Sequence, residues 1–481
     1  MLRFYNTLTR RQEEFVPLQE GHVRMYVCGP TIYAAPHIGN LRTFFFADIL
    51  HRYLEFKGLE VKFVMNLTDV DDKTIAGALR QGVSLTEYTE PFARLLFEDF
   101  AALGFEPADV YPRATHYVPQ MVELIRRLQE NGLAYQAADG SVYYDISEFP
   151  EYGKLAQIDP ENARRGERVV ADEYEKDDVR DFALWKAAKP EDERVGAAWD
   201  TPWGRGRPGW HVECSAMSMH ELGETFDIHG GGVDLVFPHH EDEIAQSEGA
   251  TGRQFARYWL HAQFLQLEGE KMAKSAGNIF TLRDLLDRGA RPSAIRYTFL
   301  TAHYRSTLNF TWEALASSAE AVRRLLATLE RLRSHPETLH ARATDRPRLQ
   351  DDAARALGAF TAGMDDDLNT SVALAALWGF AHEINARLDE LGALPITEAE
   401  ARVALDALAR IDGVLGVLGL AEREQSVDDE LADWVQARID EREAARRARE
   451  FARADAIRDE LAARGVVLED TPTGTRWKTT T

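Results

Sequence analysis

The sequence predicts an α/β protein: a parallel sheet interrupted by an insertion, followed by helices and a small C-terminal unit. Three observations carry this. The run HVRMYVC at 22–28, the helically spaced NLRTFFFADILHRYLEFK at 40–57 and the alternating EVKFVMN at 60–66 follow one another closely. Strand, helix and strand in such succession form a βαβ unit, which implies parallel pairing. Residues 115–200 change character, and after Leu282 almost everything keeps helical spacing.

Within the first unit, Gly58 is a good stop for the helix. PHIGN lies at that helix's entrance, where free N–H groups and the positive dipole end make a natural phosphate seat. VPQMVELIRRLQENG reads as a helix, YQAADGSVYYD as a hairpin, and Asp159–Asp181 as a polar, charged tract; together they form an insertion into the sheet domain. The sheet resumes with ETFDIHGGG (224–232) and RYWLHAQFLQL (257–267). SHPETLHARATDRPRLQDD is a polar, Pro-containing linker, and DDLNTSVALAALWGFAHEINARLDELG opens a helical bundle. One last charged helix is expected over Asp428–Arg464, before the tail GVVLEDTPTGTRWKTTT. There are no internal repeats.

A chain of 481 residues is expected to form two to four domains. No apolar run approaches the ~20 residues of a membrane helix. The start, MLRFYNTLTRRQEEF, offers no apolar stretch of a secretion signal. Two cysteines cannot build a disulfide framework, so a reducing cytoplasm is expected. The net charge of -23 argues against broad nonspecific binding to nucleic acid, but not against a specific polyanionic partner held on local basic strips.

Four segments carry candidate chemistry: Cys28 with His37-Ile-Gly-Asn40; GRPGWHVECSAM, with Trp210 and Cys214; HGGGVDLVFPHHEDE, from His229 to Glu243; and EKMAKSAGN, with Lys271 and Lys274. In the third, Pro238 and the acids after it describe a helix start with solvated acids. His239 and Glu243 are also four apart and share a helical face. Imidazole and carboxylate suit zinc, and both cysteines could complete four ligands. His240 and Glu241 offer the same donor chemistry, and spacing does not choose among them. The two lysines suit a phosphate clamp, although taken alone such a segment is more often a solvated surface loop.

Taken together, these segments resemble a known family. PHIGN resembles the HIGH signature of class I aminoacyl-tRNA synthetases, and KMAKS resembles their KMSKS loop. MYVCGPTIY, NLTDVDDK, GRPGWHVECSAM and HGGGVDLVFPHHEDE each resemble segments of cysteinyl-tRNA synthetases, in order across residues 1–310. The likeness continues more weakly through MDDDLNTSVALAALW and GVVLEDTPTGTRWK.

The resemblance implies a Rossmann-type catalytic domain over 1–114 and 200–281, with a connective insertion at 115–199. A stem-contact helical region would follow at 282–340, a helical bundle at 341–422 and an anticodon-binding region at 423–481. It implies a zinc ion on Cys28, Cys214, His239 and Glu243 that selects the substrate thiol. Gly29, Thr31, Gly39, Thr68, Trp210 and Asp234 would bind cysteine or ATP. His37, Asn40, Lys271 and Lys274 would be catalytic, with Mg²⁺ accompanying ATP. The partners implied are ATP, L-cysteine and tRNA(Cys), with no membrane, and a monomer is expected.

Two positions depart from the class signatures. Asn40 replaces the last histidine of the first, and Ala273 replaces the first serine of the lysine loop. Asn40 can still donate a hydrogen bond but carries no charge. In EREAARRAREFARADAIRDELAARG, arginine is nearly matched by acid, which suits either a solvated helix or an RNA-facing one. Trp477, between Arg476 and Lys478, is the candidate base-stacking residue, or else a packed terminal anchor. Two alternatives share the resemblance: the cysteine ligase of mycothiol synthesis, which is expected to lack the full anticodon extension, and a catalytically silent tRNA-binding paralogue.

Overall fold

The computed structural model describes residues 1–158, 181–271, 279–334, 348–390, 397–464, 466–471 and 474–479. Its centre is a parallel sheet of β1 (His22–Val27), β2 (Glu60–Met65), β3 (Phe226–Gly232) and β4 (Ala256–Ala262), in the order β4–β3–β1–β2. Every residue of β3 is buried, as parallel sheets covered on both faces require. The helix α1 (Ile38–Phe56) joins β1 to β2, so the βαβ unit expected from the sequence is present. Lys57 caps the end of α1, and Gly58 follows with φ +80°.

α1 is apolar nearly all round because it is covered nearly all round. Phe45 meets Phe299 at 5.4 Å and Phe46 stacks on Tyr304 at 4.5 Å, both from the region after the sheet. Phe56 meets Phe360 of the helix Arg348–Asp365 at 5.7 Å.

The insertion carries a five-stranded antiparallel sheet in which the hairpin Ala134–Gln136/Val142–Tyr144 is the one expected at YQAADGSVYYD. The sheet includes Phe182–Ala187, Trp199–Thr201 and Gly204–Pro208, and so extends past residue 199. The helix Val118–Glu130 packs on α2 (Trp210–Leu222) and α3 (Glu241–Thr251), both beside the parallel sheet. Most of the polar tract, residues 159–180, lies outside the described residues, as does 335–347 of the linker.

The remainder is mainly helical, with Thr370–Glu390 inside the expected bundle. The single charged helix expected over Asp428–Arg464 is instead two, Leu418–Arg447 and Phe451–Ala463. The break falls at Arg449, whose φ is +62°. Turning back lets Val435 and Ile439 cover Ile457, Leu461 and Val466 in a core of their own. The tail pairs as a hairpin, Val466–Thr471 with Gly474–Thr479. No helix among the described residues is long and apolar enough to cross a membrane.

Candidate metal and nucleotide site

Cys28 directly follows β1, and its N–H donates to the Gly230 carbonyl of β3 at 3.0 Å. Cys214 lies within α2, His239 in the turn before α3 and Glu243 in the first turn of α3. All are buried, and their donors converge. Cys28 Sγ lies 3.7 Å from Cys214 Sγ, 3.6 Å from His239 Nε2 and 3.4 Å from Glu243 Oε1. His239 Nε2 is 3.1 Å from Glu243 Oε1. A tetrahedral ion with ligand bonds of ~2.0–2.3 Å places its donors roughly 3.3–3.8 Å apart. The three distances from Cys28 lie in that range and the His239–Glu243 pair slightly below it, so the set suits zinc. Both cysteines are free. Burial raises the Cys28 thiol well above its ordinary pKa and the Cys214 thiol above it, while burial lowers His239 to about 3. A bound dication reverses the penalty on the thiolates, which is the chemistry such a donor set serves.

The other donors divide by geometry. Glu241 turns away: its carboxylate accepts from the amides of Gly153, Leu155 and Ala156 at 2.8, 2.9 and 2.8 Å, anchoring the insertion. The acids of the first turn of α3, Glu241, Asp242 and Glu243, are therefore buried partners rather than solvated ones. His240 Nδ1 meets His261 Nε2 at 2.8 Å, and His261 Nδ1 meets Thr7 Oγ1 at 2.7 Å. His229 Nε2 meets Glu243 Oε2 at 2.9 Å while its ring stacks on Trp259 at 4.4 Å. Cys28, His229, His240 and Glu243 thus form a second close donor set sharing two members with the first.

Sequence reasoning missed His229 as a partner of Glu243; a histidine inside a wholly buried strand was the available signal. It also missed His211. His211 Nδ1 lies 2.9 Å from His239 Nδ1, and its Nε2 lies 3.3 Å from Asp242 Oδ2. Tyr152 of the insertion donates to Asp242 Oδ1 at 2.5 Å. This chain orients the His239 ring so that Nε2 faces Cys28. The signal was the three-residue spacing of His211 and Cys214 on one helix.

The cluster borders a cleft of about 380 Å³ whose lining includes Cys28, Thr31, His37, Asn40, Trp210 and Asp234. Trp210 remains 38% exposed, and its ring stacks on His239 at 4.3 Å. Gly29 also lines the cleft; a Cβ there would lie 1.8 Å from the Asn66 carbonyl oxygen. Thr68 is buried and pairs by backbone with the Pro30–Ile32 stretch: its N–H donates to Pro30 O at 3.1 Å, and Ile32 N–H donates to Thr68 O at 3.0 Å.

His37 is the N-cap of α1. Its Nδ1 accepts from the Asn40 N–H at 3.2 Å, and Asn40 Oδ1 accepts from the His37 N–H at 3.2 Å. Asn40 therefore serves the helix through its side-chain oxygen, as an acceptor. Gly39 is half-buried in the first turn.

The segments flanking the lysine loop are paired on both sides. Glu270–Lys271 pairs with Leu265–Leu267, and beyond the loop Phe280 O accepts from the Ile38 N–H of α1 at 2.9 Å. Lys274 and Ala273 lie outside the described residues, as does the side chain of Lys271. Trp477 stands opposite Leu468 in the terminal hairpin; its side chain is outside the described set.

Comparison with known proteins agrees along the whole chain. The class I (C) tRNA synthetase catalytic domain matches residues 14–320, the DALR domain 359–420, and the cysteinyl-tRNA ligase anticodon binding domain 428–477. The chain is 46% identical to the cysteine–tRNA ligase of Chlamydia caviae, over 99% of this chain and 98% of that one. It is also 46% identical to that of Solibacter usitatus, over 99% of each. Its fold is shared with Mycobacterium tuberculosis methionyl-tRNA synthetase in complex with methionyl-adenylate, at TM-score 0.58 and 17% identity, over 82% of this chain and 90% of that one. Matched in order by these domains and aligned end to end with such relatives, the chain belongs to the cysteinyl-tRNA synthetase family of class I.

Proposed function

We propose that the chain attaches L-cysteine to tRNA(Cys) at the expense of ATP, through a cysteinyl-adenylate, as a monomer in the cytoplasm. The observation that carries this reading is the convergence of Cys28, Cys214, His239 and Glu243 beside a cleft that Cys28 lines together with the capped entrance of α1. Two free buried thiols in 481 residues suit a reducing compartment.

Cysteine and serine differ by one atom, and an apolar pocket separates such near-isosteres only about 10²-fold. A zinc ion held by the quartet would supply a soft Lewis acid that favours thiolate over hydroxyl. Trp210 walls the space above His239 against larger side chains. Asp234 receives the substrate ammonium or the adenosine ribose.

The cysteine carboxylate attacks the α-phosphorus of ATP; the bond to the β-phosphate oxygen breaks and pyrophosphate leaves. His37 faces this step with a defined tautomer. Because Nδ1 accepts the Asn40 amide, the proton of the neutral ring sits on Nε2 and can donate to an α-phosphate oxygen. Gly39 lets the nucleotide approach the backbone. Lys271 and Lys274 offset the charge on pyrophosphate, and Mg²⁺ accompanying ATP would share that charge. A hydroxyl of the 3′-terminal ribose of tRNA then attacks the adenylate carbonyl and AMP leaves. No side chain forms a covalent intermediate.

The match of residues 428–477 to an anticodon-binding domain supports an RNA acceptor over an amino sugar. The test is cysteine-dependent ATP–pyrophosphate exchange together with zinc analysis, followed by charging of tRNA and of the glucosaminyl-inositol acceptor. Zinc near one equivalent, exchange with cysteine but not serine, and charging of tRNA alone are expected. Metal-replete protein without exchange would reject the reading, and charging of the amino sugar would replace it.

A further inference from the structure

We infer that Lys73 is a phosphate-binding residue of the cleft, an inference that rests on the activity proposed above. Lys73 lies in the first turn of the helix Asp72–Gln81, which Asp71 caps by accepting the Lys73 N–H at 2.7 Å. A lysine there opposes the helix dipole, so helix stability does not account for it. Its acidic neighbour is committed elsewhere: Asp72 pairs with Lys186 of the insertion at 3.1 Å and with Arg207. Lys73 itself makes no ion pair among the described residues, in a chain of 79 acidic and 56 basic residues.

What Lys73 does meet is the cleft. Its Nζ lies 5.1 Å from the centroid of the Tyr33 ring, on the loop between β1 and α1. That loop is braced from below, where Tyr88 Oη donates to the Tyr33 carbonyl at 2.9 Å. Gly77 leaves room for the Tyr88 ring, since a Cβ there would lie 2.1 Å from Cζ. Lys73 is exposed at the rim of the cleft, with its ammonium over a tyrosine ring whose loop is braced from below.

Among the described residues lining the cleft, Lys73 is the sole lysine or arginine and Asp234 the sole carboxylate. The carboxylate suits an amino group, and the permanent cation suits a phosphate oxygen. Two sources bring that chemistry to the cleft: the phosphates of ATP and the terminal phosphodiester of the RNA 3′ end.

Lys73→Ala and Lys73→Arg decide between them. Equilibrium binding of ATP and of tRNA is measured for each, with tRNA followed over a salt series. Exchange is then assayed separately from single-turnover transfer out of preformed adenylate. Loss of one charge-assisted contact is expected to weaken ATP or tRNA binding about tenfold or more in the alanine variant, with recovery in the arginine variant. An effect on ATP binding and exchange assigns the contact to the nucleotide. An effect on tRNA binding and transfer, with a salt slope lower by about one, assigns it to the RNA. Unchanged binding of both, with both steps unchanged, overturns the inference. Because binding needs no turnover, wild-type protein that binds but does not exchange would fault the proposed activity and leave Lys73 judged on affinity alone.

Discussion

At the scale of single residues, the buried quartet makes the sharpest commitments. Cys28→Ser keeps the shape of the side chain and removes its soft donor. Loss of zinc on elemental analysis and a fall in exchange of about 100-fold or more are expected, with tRNA binding largely intact. Retained zinc with full exchange would contradict the quartet. Acid should act on the neighbouring imidazoles. Burial, with the charge of His229 and Arg10 adding to it, lowers His261 to about 3, and burial holds His240 well below its ordinary value. A folded-state pKa below the unfolded value of about 6.5 means that the unfolded chain takes up more protons as pH falls. Stability is therefore fully present above about pH 6.5 and is lost progressively toward pH 3, by ~1.4 kcal/mol per pH unit for each such histidine. Urea midpoints should fall between neutral pH and pH ~5, and a flat profile would contradict neutral burial.

At the scale of elements, α1 joins the chemistry to the bundle. Its entrance carries His37 and Asn40, and its middle carries Asp48, which accepts from Arg52 at 3.0 Å and from Arg296 at 2.5 Å. Arg296 is wholly buried and also donates to Leu415 O at 2.6 Å and to Leu103 O at 3.2 Å. Gly416, at φ +66°, has no room for a Cβ, which would lie 2.7 Å from Arg296 Nη2. Arg296→Met should cost about 3 kcal/mol, the lower end for a broken buried pair, because Asp48 keeps Arg52. Guanidinium unfolding measures it, and an unchanged midpoint would show the pair to be passive. The elements that sequence patterning made legible were those with local signals. β1, α1 and β2 were readable from apolar periodicity, and the α1 entrance from PHIGN. The corner at Arg449 was not, because REFAR is built of helix-compatible residues and only the facing apolar stripes make the chain turn back. Nor could spacing choose between His239 and His240, or release Glu241 from the ligand list. The amides that capture Glu241 come from Gly153, Leu155 and Ala156, about 85 positions away, where no local rule reaches.

At the scale of the whole molecule, the question is whether the two ends of the reading separate. The ties from the helix Leu418–Arg447 to the catalytic side that the described residues show lie near its start. Ser293 donates to Glu424 at 2.7 and 2.6 Å, Gln425 donates to Glu330 at 3.0 Å, and Arg333 pairs with Glu422. Beyond Gln425 the ion pairs among the described residues stay local, as with Arg453 and Glu441 at 2.7 Å. The apolar residues there, Val435, Ile439, Ile457, Leu461 and Val466, form their own cluster, separate from the two that enclose the sheet. A chain ending at Val427 thus loses one small core and opens neither of the others. It should keep cysteine-dependent exchange near the full-length rate, because the quartet, the cleft and the α1 entrance all lie before the cut. Charging of tRNA should fall about tenfold or more in kcat/KM, through KM, because contacts to the far end of the RNA add binding energy that the cleft cannot replace. Equal loss of exchange and charging would mean that the terminal unit supports the catalytic fold itself. Unchanged charging would mean that recognition resides wholly in the parts that precede it.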